Sequence, residues 1–541
     1  MVSQNDMAVD FLFVHVPKLS SYYKPIDEFM FINYIPMGVF ALCDILNKNR
    51  ISAKIIHLGL EYIKDNDYSI VEFIKENNIK TVGLSLHWHY QAYDVIEVAR
   101  RIKEASKEIN IVLGGITASL FPKEIMKEYE CIDFLIAGDG EKGILELAKA
   151  LKEGNSDFTG ISNCVYRKDG RIIDNGISYI ADYGDELEDI DYGNLSYLDH
   201  HHDYKDFFKL PLFWSLNSSI KENMEKKISG ATTTFPLMVG RGCTVNCSFC
   251  GGGRDAQLKI CKRKKPVFRP VDKVVDTIEQ ALSYGYESFI ICFDPYPNDD
   301  RYYIQLFEEI RRRKISCGMG FESWGLPTMR FIKEFGETFI KKISYIALSP
   351  ETFSEEVRKI NKGFFYSNEE MYETIQLMKD EEVPVLIYLT IGLPGETSKD
   401  INNNVLFTTN LRKKFKNLLS IIMVPVQLEP GSPLFENPKK HNSVTERKCF
   451  RDFYEYHKKP SSNPYSYLGY ATHALEETAC DINKFNEFIL KERCKNFCMV
   501  QIKLFGKYYI PGLSKLVCAL SHKRWQRNGY GKPLNERRTF K

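Results

Sequence analysis

Short apolar segments alternate with amphipathic helical patterns through residues 1–150. The apolar segments have the length and composition of buried strands, and the patterns between them place apolar residues on one side of a helix. Such alternation predicts a doubly wound parallel sheet with helices on both faces. The predicted strands are residues 9–16, 51–58, 81–86, 111–113 and 132–136, and the predicted helices are 37–47, 71–76, 94–106, 123–129 and 141–151.

The same alternation resumes at residue 235 and gives six strand–helix units, fewer than the eight of a closed barrel. The predicted strands are residues 235–239, 288–293, 317–321, 343–348, 384–391 and 419–424. We therefore expect an α/β protein with four parts. These are the N-terminal sheet domain (1–150), a connector (151–230) with a β-hairpin at 161–176, a (β/α)6 partial barrel (231–435) and a mainly helical C-terminal domain (436–541) that closes over the substrate.

Composition narrows the class of protein. The chain has 541 residues and a formal net charge of +2, which argues against a general polyanion binder, so no nucleic acid partner is expected. Its 14 cysteines are scattered and the N-terminus lacks a signal peptide pattern, which favours a reducing cytoplasm. No apolar run reaches the roughly 18 to 20 residues that span a bilayer.

Three cysteines, Cys243, Cys247 and Cys250, follow the first predicted barrel strand in the spacing C-x3-C-x2-C, and three glycines (251–253) come next. Closely spaced thiolates are ligands for zinc or an iron–sulfur cluster. A zinc site would require a fourth ligand, but the next cysteine, Cys261, stands in a basic run and no histidine lies between Leu210 and Lys440. Three thiolates on a four-iron cluster leave one iron open to a small molecule. A zinc protein without iron remains the alternative.

Glycine and small polar residues follow the predicted strands, where ligands of parallel sheets bind. In the barrel half these positions are Asp294, Glu322, Ser349, Glu351, Gly392 and Pro394. In the N-terminal half they are Pro36 and Gly38 before the first helix, then Ser85, His87, Gly114, Gly115, Ser119, Gly138, Gly140 and Glu141.

The cysteine loop resembles the cluster-binding loop of the radical S-adenosylmethionine (SAM) enzymes. The strand-end loops of residues 1–150, the Gly392-Leu-Pro-Gly-Glu-Thr397 turn and Pro430-Gly-Ser-Pro433 resemble the subgroup of that family that also binds cobalamin. The resemblance covers roughly residues 8–435. It implies that the three cysteines are the metal ligands and catalytic residues, that the six barrel positions contact SAM, and that the ten N-terminal positions contact cobalamin.

A D-x-H-x-x-G signature, which would supply a histidine to cobalt, is absent, as the subgroup leads one to expect; His87 and His89 are candidates to face the corrin. A plain nucleotide-binding or flavodoxin-like N-terminal domain is the alternative, because the fold alone implies no ligand.

The resemblance implies a methyltransferase that methylates an unactivated carbon by way of a 5′-deoxyadenosyl radical and methylcobalamin. It also implies a small-molecule or peptide substrate and a flavodoxin- or ferredoxin-type electron donor. Two other functions stay open: a cyclisation or rearrangement with the same cofactors, and a cobalamin- or metal-binding sensor without catalysis. His200–His202 are expected to form a loop rather than a metal site, and Cys494 and Cys498 to be structural thiols on a helix.

Overall fold

The computed structural model describes residues 9–17, 19, 34–65, 67–181, 188–207, 209–210, 232–415, 417–426, 428–445, 447–458 and 474–475. Two seven-stranded sheets organise these residues, one in each half of the chain. Cys494 and Cys498, expected to be structural thiols on a helix, lie outside the described residues.

The N-terminal sheet has the strand order β2-β1-β3-β4-β5-β6-β7, in which the first five strands are parallel. Helices cover both faces, which explains why every residue of β1 is buried and apolar apart from His15. The elements are β1 (Phe11–His15), α1 (Met37–Lys48), β2 (Ala53–His57), α2 (Leu58–Lys64), α3 (Ile70–Glu76), β3 (Thr81–Ser85), α4 (Ala92–Ala105), β4 (Asn110–Gly114), α5 (Ile116–Leu120), α6 (Pro122–Glu128), β5 (Phe134–Ile136), α7 (Glu141–Lys152), β6 (Cys164–Lys168) and β7 (Arg171–Asp174).

The connector differs from its prediction in two ways. Its hairpin, β6 and β7, forms as expected but pairs antiparallel with β5, so it extends the N-terminal sheet instead of standing apart. The histidine run, expected as a loop, enters helix α8 (His201–Phe207). The short strand β8 (Lys209–Leu210) then joins the second sheet.

The second sheet has the order β16-β15-β14-β13-β12-β9-β8, and its six strands from β9 onwards are parallel. This is the number of strands that the sequence predicts. The elements are β9 (Thr232–Pro236), β10 (Gly240–Arg241), α9 (Arg254–Cys261), β11 (Val267–Phe268), α10 (Val271–Ser283), β12 (Ser288–Ile291), α11 (Arg301–Arg312), β13 (Gly318–Ser323), α12 (Met329–Thr338), β14 (Tyr345–Glu351), α13 (Glu355–Asn361), α14 (Asn368–Asp380), β15 (Val385–Ile391), α15 (Ser398–Lys414) and β16 (Leu418–Pro425).

The boundary of β9 corrects one prediction. The strand spans Thr232–Pro236 rather than 235–239, because three β-branched threonines enter it and are buried there. Residues 240–241 pair separately with β11.

After the second sheet, the chain packs back against the N-terminal sheet. They include α16 (Pro433–Glu436), β17 (Ser443–Val444), α17 (Phe450–Lys458) and β18 (Ala474–Leu475). Phe450, Phe453 and Tyr454 of α17 are buried in the core that covers one face of the N-terminal sheet. Within the expected helical C-terminal domain, the described residues therefore include a helix that packs on the N-terminal sheet. Among the described residues, no helix combines the length and apolar character needed to cross a bilayer.

Candidate functional site

One cavity of about 510 Å³ lies at the carboxyl edge of the N-terminal sheet. The strand ends of a parallel sheet meet at this edge, so the fold gathers loops that are distant in sequence. All ten positions singled out in this half line the cavity: Pro36, Gly38, Ser85, His87, Gly114, Gly115, Ser119, Gly138, Gly140 and Glu141. Their role as cobalamin contacts stays a prediction.

The second half of the chain closes this cavity. Part of its lining comes from residues that follow strands β9 and β12 (Met238, Cys292 and Phe293) and from strand β10 (Gly240 and Arg241). Both halves therefore build the same cavity, and an occupant would touch both.

Glycine positions leave room for a bulky occupant. Gly38 lines the cavity, and a Cβ added there would meet no atom within 4 Å. Gly115 has a φ of +107°, and a Cβ there would lie 2.5 Å from the Leu86 carbonyl oxygen. Only glycine permits the close contact of these two loops, whose edges form the cavity wall.

A buried ion-pair network joins the two halves beside the cavity. The Arg241 guanidinium contacts Asp139 at 3.2 Å and also pairs with Glu141. Arg263 pairs with the second Asp139 oxygen, and the Ala181 amide donates to that oxygen at 2.9 Å. Glu141, predicted as a cofactor contact, therefore has one carboxylate oxygen engaged by Arg241.

His87 and His89 occupy different environments. His87 lines the cavity, and burial lowers its pKa to about 4, so its imidazole is neutral. His89 is fully buried against α17, where its Nδ1 lies 3.0 Å from the His457 Nε2. The suggestion that both histidines face the corrin is therefore wrong for His89.

The cysteine loop follows β10 and is tied to the second sheet through Ser248. The Ser248 amide donates to the Asn361 carbonyl oxygen at 2.8 Å, and its hydroxyl donates to the Asn361 side chain. The Asn361 side chain in turn donates to the Pro394 carbonyl oxygen at 2.8 Å. Gly251 packs so closely on Pro430 that a Cβ would lie 2.6 Å from its carbonyl oxygen. These contacts place the Pro430-Gly-Ser-Pro433 segment against the cysteine loop.

The three thiols are partly exposed and receive backbone donors. The amides of Val245 and Gly252 donate to Cys243 and Cys250 at 3.3 Å each. Burial raises the pKa of Cys243 to about 11 and that of Cys250 to about 12. Thiolates at these positions need a compensating positive charge, which cluster iron would provide.

The geometry bears on which metal fits. Among the described residues, no three His, Cys, Asp or Glu side chains converge closely enough to hold a single metal ion. A closed zinc site requires such convergence. A four-iron cluster does not, because each thiolate binds a different iron.

A second cavity of about 400 Å³ opens beside the cysteine loop. Cys250, Gly251 and Gly252 line one side, and Trp88, Phe249 and Val426 give it apolar walls, with Glu429 as a carboxylate at its edge. His87 and Ile116 line both cavities. The two cavities are therefore adjacent and separated by these side chains.

Asp294 and Gly392, two of the six barrel positions, form hydrogen bonds that shape their loops. Asp294 accepts from the Trp324 and Gly325 amides at 2.7 and 3.2 Å, so it fixes the loop after β13. Gly392, at a φ of +84°, donates its amide to Glu396 at 2.6 Å and shapes the turn before α15. Their role as SAM contacts stays a prediction.

Two other barrel positions, Ser349 and Glu351, contact a buried amine that sequence reasoning missed. Lys362 is 5% exposed, and its ammonium group donates to the Ser349 carbonyl oxygen and lies 3.4 Å from Glu351. The positive charge of Lys362 also lowers the pKa of Cys247, although burial raises it more. Glu322 hydrogen bonds to Cys292, a thiol that faces the first cavity, and burial raises the pKa of Glu322.

Arg241, Lys362 and Asn361 carry no motif that would single them out. Only Arg241 has a sequence context that could draw attention to it, because it lies between two glycines and two residues before Cys243. The contacts of Asn361 and Lys362 can be recognised only in the structure, where the end of α13 packs against the cysteine loop.

Comparison with known proteins agrees with this geometry. Residues 237–407 match the Radical SAM superfamily model, and residues 33–148 match the B12 binding domain model. The chain is 26% identical over 327 residues to the anaerobic magnesium-protoporphyrin IX monomethyl ester cyclase of Rubrivivax gelatinosus, covering 58% of this chain and 50% of the cyclase. It is 23% identical over 388 residues to an uncharacterized methyltransferase of Pyrococcus horikoshii, covering 70% of this chain and 73% of that relative.

A solved structure shares the fold. The radical SAM methyltransferase TsrM from Kitasatospora setae, with cobalamin and a [4Fe–4S] cluster bound, aligns with a TM-score of 0.56 at 16% identity, covering 80% of this chain and 75% of that structure.

The presence of both domains defines the class: the chain belongs to the cobalamin-dependent radical SAM enzymes. The cofactors of this class are a [4Fe–4S] cluster, SAM and cobalamin. The chain spans about half the length of the cyclase relative, so its own reaction and substrate are matters for proposal.

Proposed function

We propose that this enzyme is a C-methyltransferase that acts on an unactivated carbon of a small molecule or peptide side chain. The observation that carries the proposal is the adjacency of the two cavities, which share His87 and Ile116 as a common wall. When bound, the cluster and SAM would supply hydrogen-atom abstraction, and the cobalamin would supply the methyl group. The methyltransferase of Pyrococcus horikoshii supports this reaction, because the alignment covers most of both chains.

The protein's own contribution is placement and exclusion of water. Cys243, Cys247 and Cys250 would hold the cluster, with the loop fixed by the Ser248–Asn361 hydrogen bonds. The ten predicted positions that line the first cavity would hold the cobalamin. Glu322, Ser349, Glu351 and Pro394 would contact SAM, while Asp294 and Gly392 would shape the loops around it.

The second cavity would admit the substrate carbon. Its walls of Trp88, Phe249 and Val426 favour an apolar or ring-bearing group, and Glu429 favours a nearby N–H or ammonium. An electron donor of the flavodoxin or ferredoxin type would reduce the cluster, and the cytoplasm is the expected compartment.

A cyclisation with the same cofactors is the second candidate, since the cyclase of Rubrivivax gelatinosus is 26% identical over the shared region. A reaction that needs no substrate separates the two. Anaerobically reconstituted enzyme is reduced and mixed with methyl-labelled SAM, and the bound cobalamin is analysed for label. A methyltransferase should produce labelled methylcobalamin, whereas a cyclase should cleave SAM reductively without labelling the cobalamin.

Cys247→Ala should abolish reductive cleavage of SAM and lower the iron content, whereas Cys131→Ala, outside the loop, should change neither. Wild-type protein that binds zinc and no iron, or that binds cobalamin without cleaving SAM, would reject the enzyme proposal.

A further inference from the structure

The second cavity carries one carboxylate, that of Glu429. It is the only Asp, Glu, Lys or Arg among the described residues that line this cavity, and its side chain is 33% exposed. The hydroxyl groups of the lining are already engaged. Thr117 donates to the His87 carbonyl oxygen at 3.0 Å, and Thr390 donates to Glu351. A polar group of an occupant would therefore meet the Glu429 carboxylate.

Among the described residues, no lysine or arginine lies within ion-pair distance of this carboxylate. The contact at that distance is with His89, whose Nε2 lies 3.5 Å from Oε1 of Glu429. An apolar ligand in the cavity would remove water from the carboxylate and leave its charge uncompensated, which costs free energy. An ammonium group would replace that water with a charge-assisted hydrogen bond. The cavity therefore favours a cation over a neutral or anionic group of the same shape.

His89 lies outside the cavity lining and is fully buried. Its Nδ1 lies 3.0 Å from Nε2 of His457, and its ring is stacked on Tyr90 with centroids 4.1 Å apart. When His457 donates from Nε2, a neutral His89 carries its own proton on Nε2, on the side of Glu429. The opposite polarity would direct the His89 lone pair at the carboxylate, which is electrostatically unfavourable. His89 is therefore suited to orient Glu429 as a positioning residue.

The backbone places Glu429 beside the cysteine loop. A Cβ added to Gly251 would lie 3.0 Å from the Glu429 Cβ, and the Ser432 amide donates to the Glu429 carbonyl oxygen at 3.1 Å. Cys250 and Gly251 line the same cavity as Glu429. A cation held by this carboxylate would therefore lie next to the loop that is expected to carry the cluster.

We infer that the substrate is a cationic amine whose ammonium group pairs with Glu429, and that His89 and His457 orient the carboxylate for this contact. The inference rests on the proposed methyltransferase and deepens it by naming the class of substrate. SAM also carries an ammonium group, so substrate recognition has to be separated from SAM binding.

Three probes of similar shape and different charge test the inference without turnover: phenethylammonium, phenethyl alcohol and phenylacetate. The unreduced full-length enzyme carries its cluster, hydroxocobalamin and saturating SAM, and equilibrium dialysis measures the affinity of each probe. We expect phenethylammonium to bind about tenfold more tightly than the other two, as one charge-assisted hydrogen bond would give. Glu429→Gln should remove this preference, and Glu429→Lys should transfer it to phenylacetate. Glu436→Gln should keep it, because Glu436 is exposed, pairs with Lys259 and lines neither cavity.

The ratio of the ammonium affinity to the alcohol affinity tests His89. His89→Leu should lower this ratio, and His89→Gln, which retains an N–H donor, should restore part of it. A role of His89 in packing alone would weaken both probes together and leave the ratio unchanged, and the assignment of His89 as a positioning residue would then be wrong.

Two further results would overturn the inference. One is wild-type enzyme that binds no probe or binds all three equally. The other is a lower affinity for SAM in Glu429→Gln, because Glu429 would then serve the ammonium group of SAM. The proposed methyltransferase fails separately, when methyl-labelled SAM gives no labelled methylcobalamin. The comparison of the probes uses wild-type enzyme, so its answer does not depend on whether a variant folds.

Discussion

The Arg241 guanidinium lies 3.2 Å from the Asp139 carboxylate and links the start of the cysteine loop to the N-terminal sheet. The two residues are 102 positions apart, and Arg241 also pairs with Glu141 at the edge of the same cavity. The guanidinium thus joins the two halves of the chain at the edge of the first cavity. It is 13% exposed and the Asp139 carboxylate is 10% exposed, so solvent screens the pair only weakly.

Replacing this arginine should loosen the interface between the two halves. Arg241→Met leaves two buried carboxylates with fewer partners, and breaking a buried pair in this way costs about 3 to 5 kcal/mol. We expect a lower melting temperature and roughly tenfold weaker retention of hydroxocobalamin, one factor of ten corresponding to about 1.4 kcal/mol of binding free energy. Equilibrium titration followed by absorbance measures the second quantity.

Arg301→Met is the matched control, because Arg301 is 85% exposed in its pair with Asp299. It should change neither quantity. Cobalamin binding by Arg241→Met that equals the wild type would show that the ion-pair network has no part in the cavity.

Lys362 gives a second prediction, which concerns the cysteine loop. Its ammonium group pairs with Glu351 at 3.4 Å, and the adjacent Gly363 amide donates to Cys247. Lys362→Met removes a buried positive charge beside a thiol expected to bind iron as the thiolate. We expect the iron and acid-labile sulfide retained after anaerobic reconstitution to fall several-fold, with the N-terminal cavity still able to bind cobalamin.

Lys359→Met provides the comparison for Lys362→Met, because Lys359 is exposed and lies on helix α13, which ends just before Lys362. Its iron content should match the wild type. If Lys362→Met also retains full iron, the charge of Lys362 is not needed for cluster retention, and its contacts to Ser349 and Glu351 serve only to pack β14.

The sequence predicts the gathering of the N-terminal loops well, for a physical reason. Parallel strands end at one edge, so Ser85, Gly114 and Gly138 must meet once the strand order is correct. The role of each individual side chain is harder to predict, because its partner can be far away in the chain. His87 and His89 are two residues apart, yet only His89 meets His457, which lies 368 positions further on.

In the barrel half, too, the position of a loop is easier to predict than the role of its side chains. Asp294 follows a strand, as a SAM contact would, but the Trp324 and Gly325 amides occupy one of its oxygens. Lys362 has no motif and becomes notable only because the residue after α13 reaches the Ser349 carbonyl oxygen of β14. The periodicity of the strands predicts where each loop lies. The hydrogen bonds within a loop depend on how distant elements pack together, and no local sequence pattern records that packing.

The last prediction concerns pH and Glu61 on helix α2. Burial, with Asp199 and Asp203 nearby, raises the pKa of Glu61 to about 7, against a smaller opposing effect of Lys64. A carboxyl whose pKa is higher in the folded state contributes full stability below its unfolded value near 4.5, and this contribution is lost as pH rises through about 7. Glu61→Gln removes this loss, so the variant should gain about 1 to 2 kcal/mol relative to the wild type between pH 5 and pH 8, with a correspondingly higher melting temperature. Thermal scans of both proteins at fixed scan rate across that range measure the difference, with the exposed Glu76→Gln as the control that should show none. A difference that stays constant with pH would mean that Glu61 does not titrate in this window.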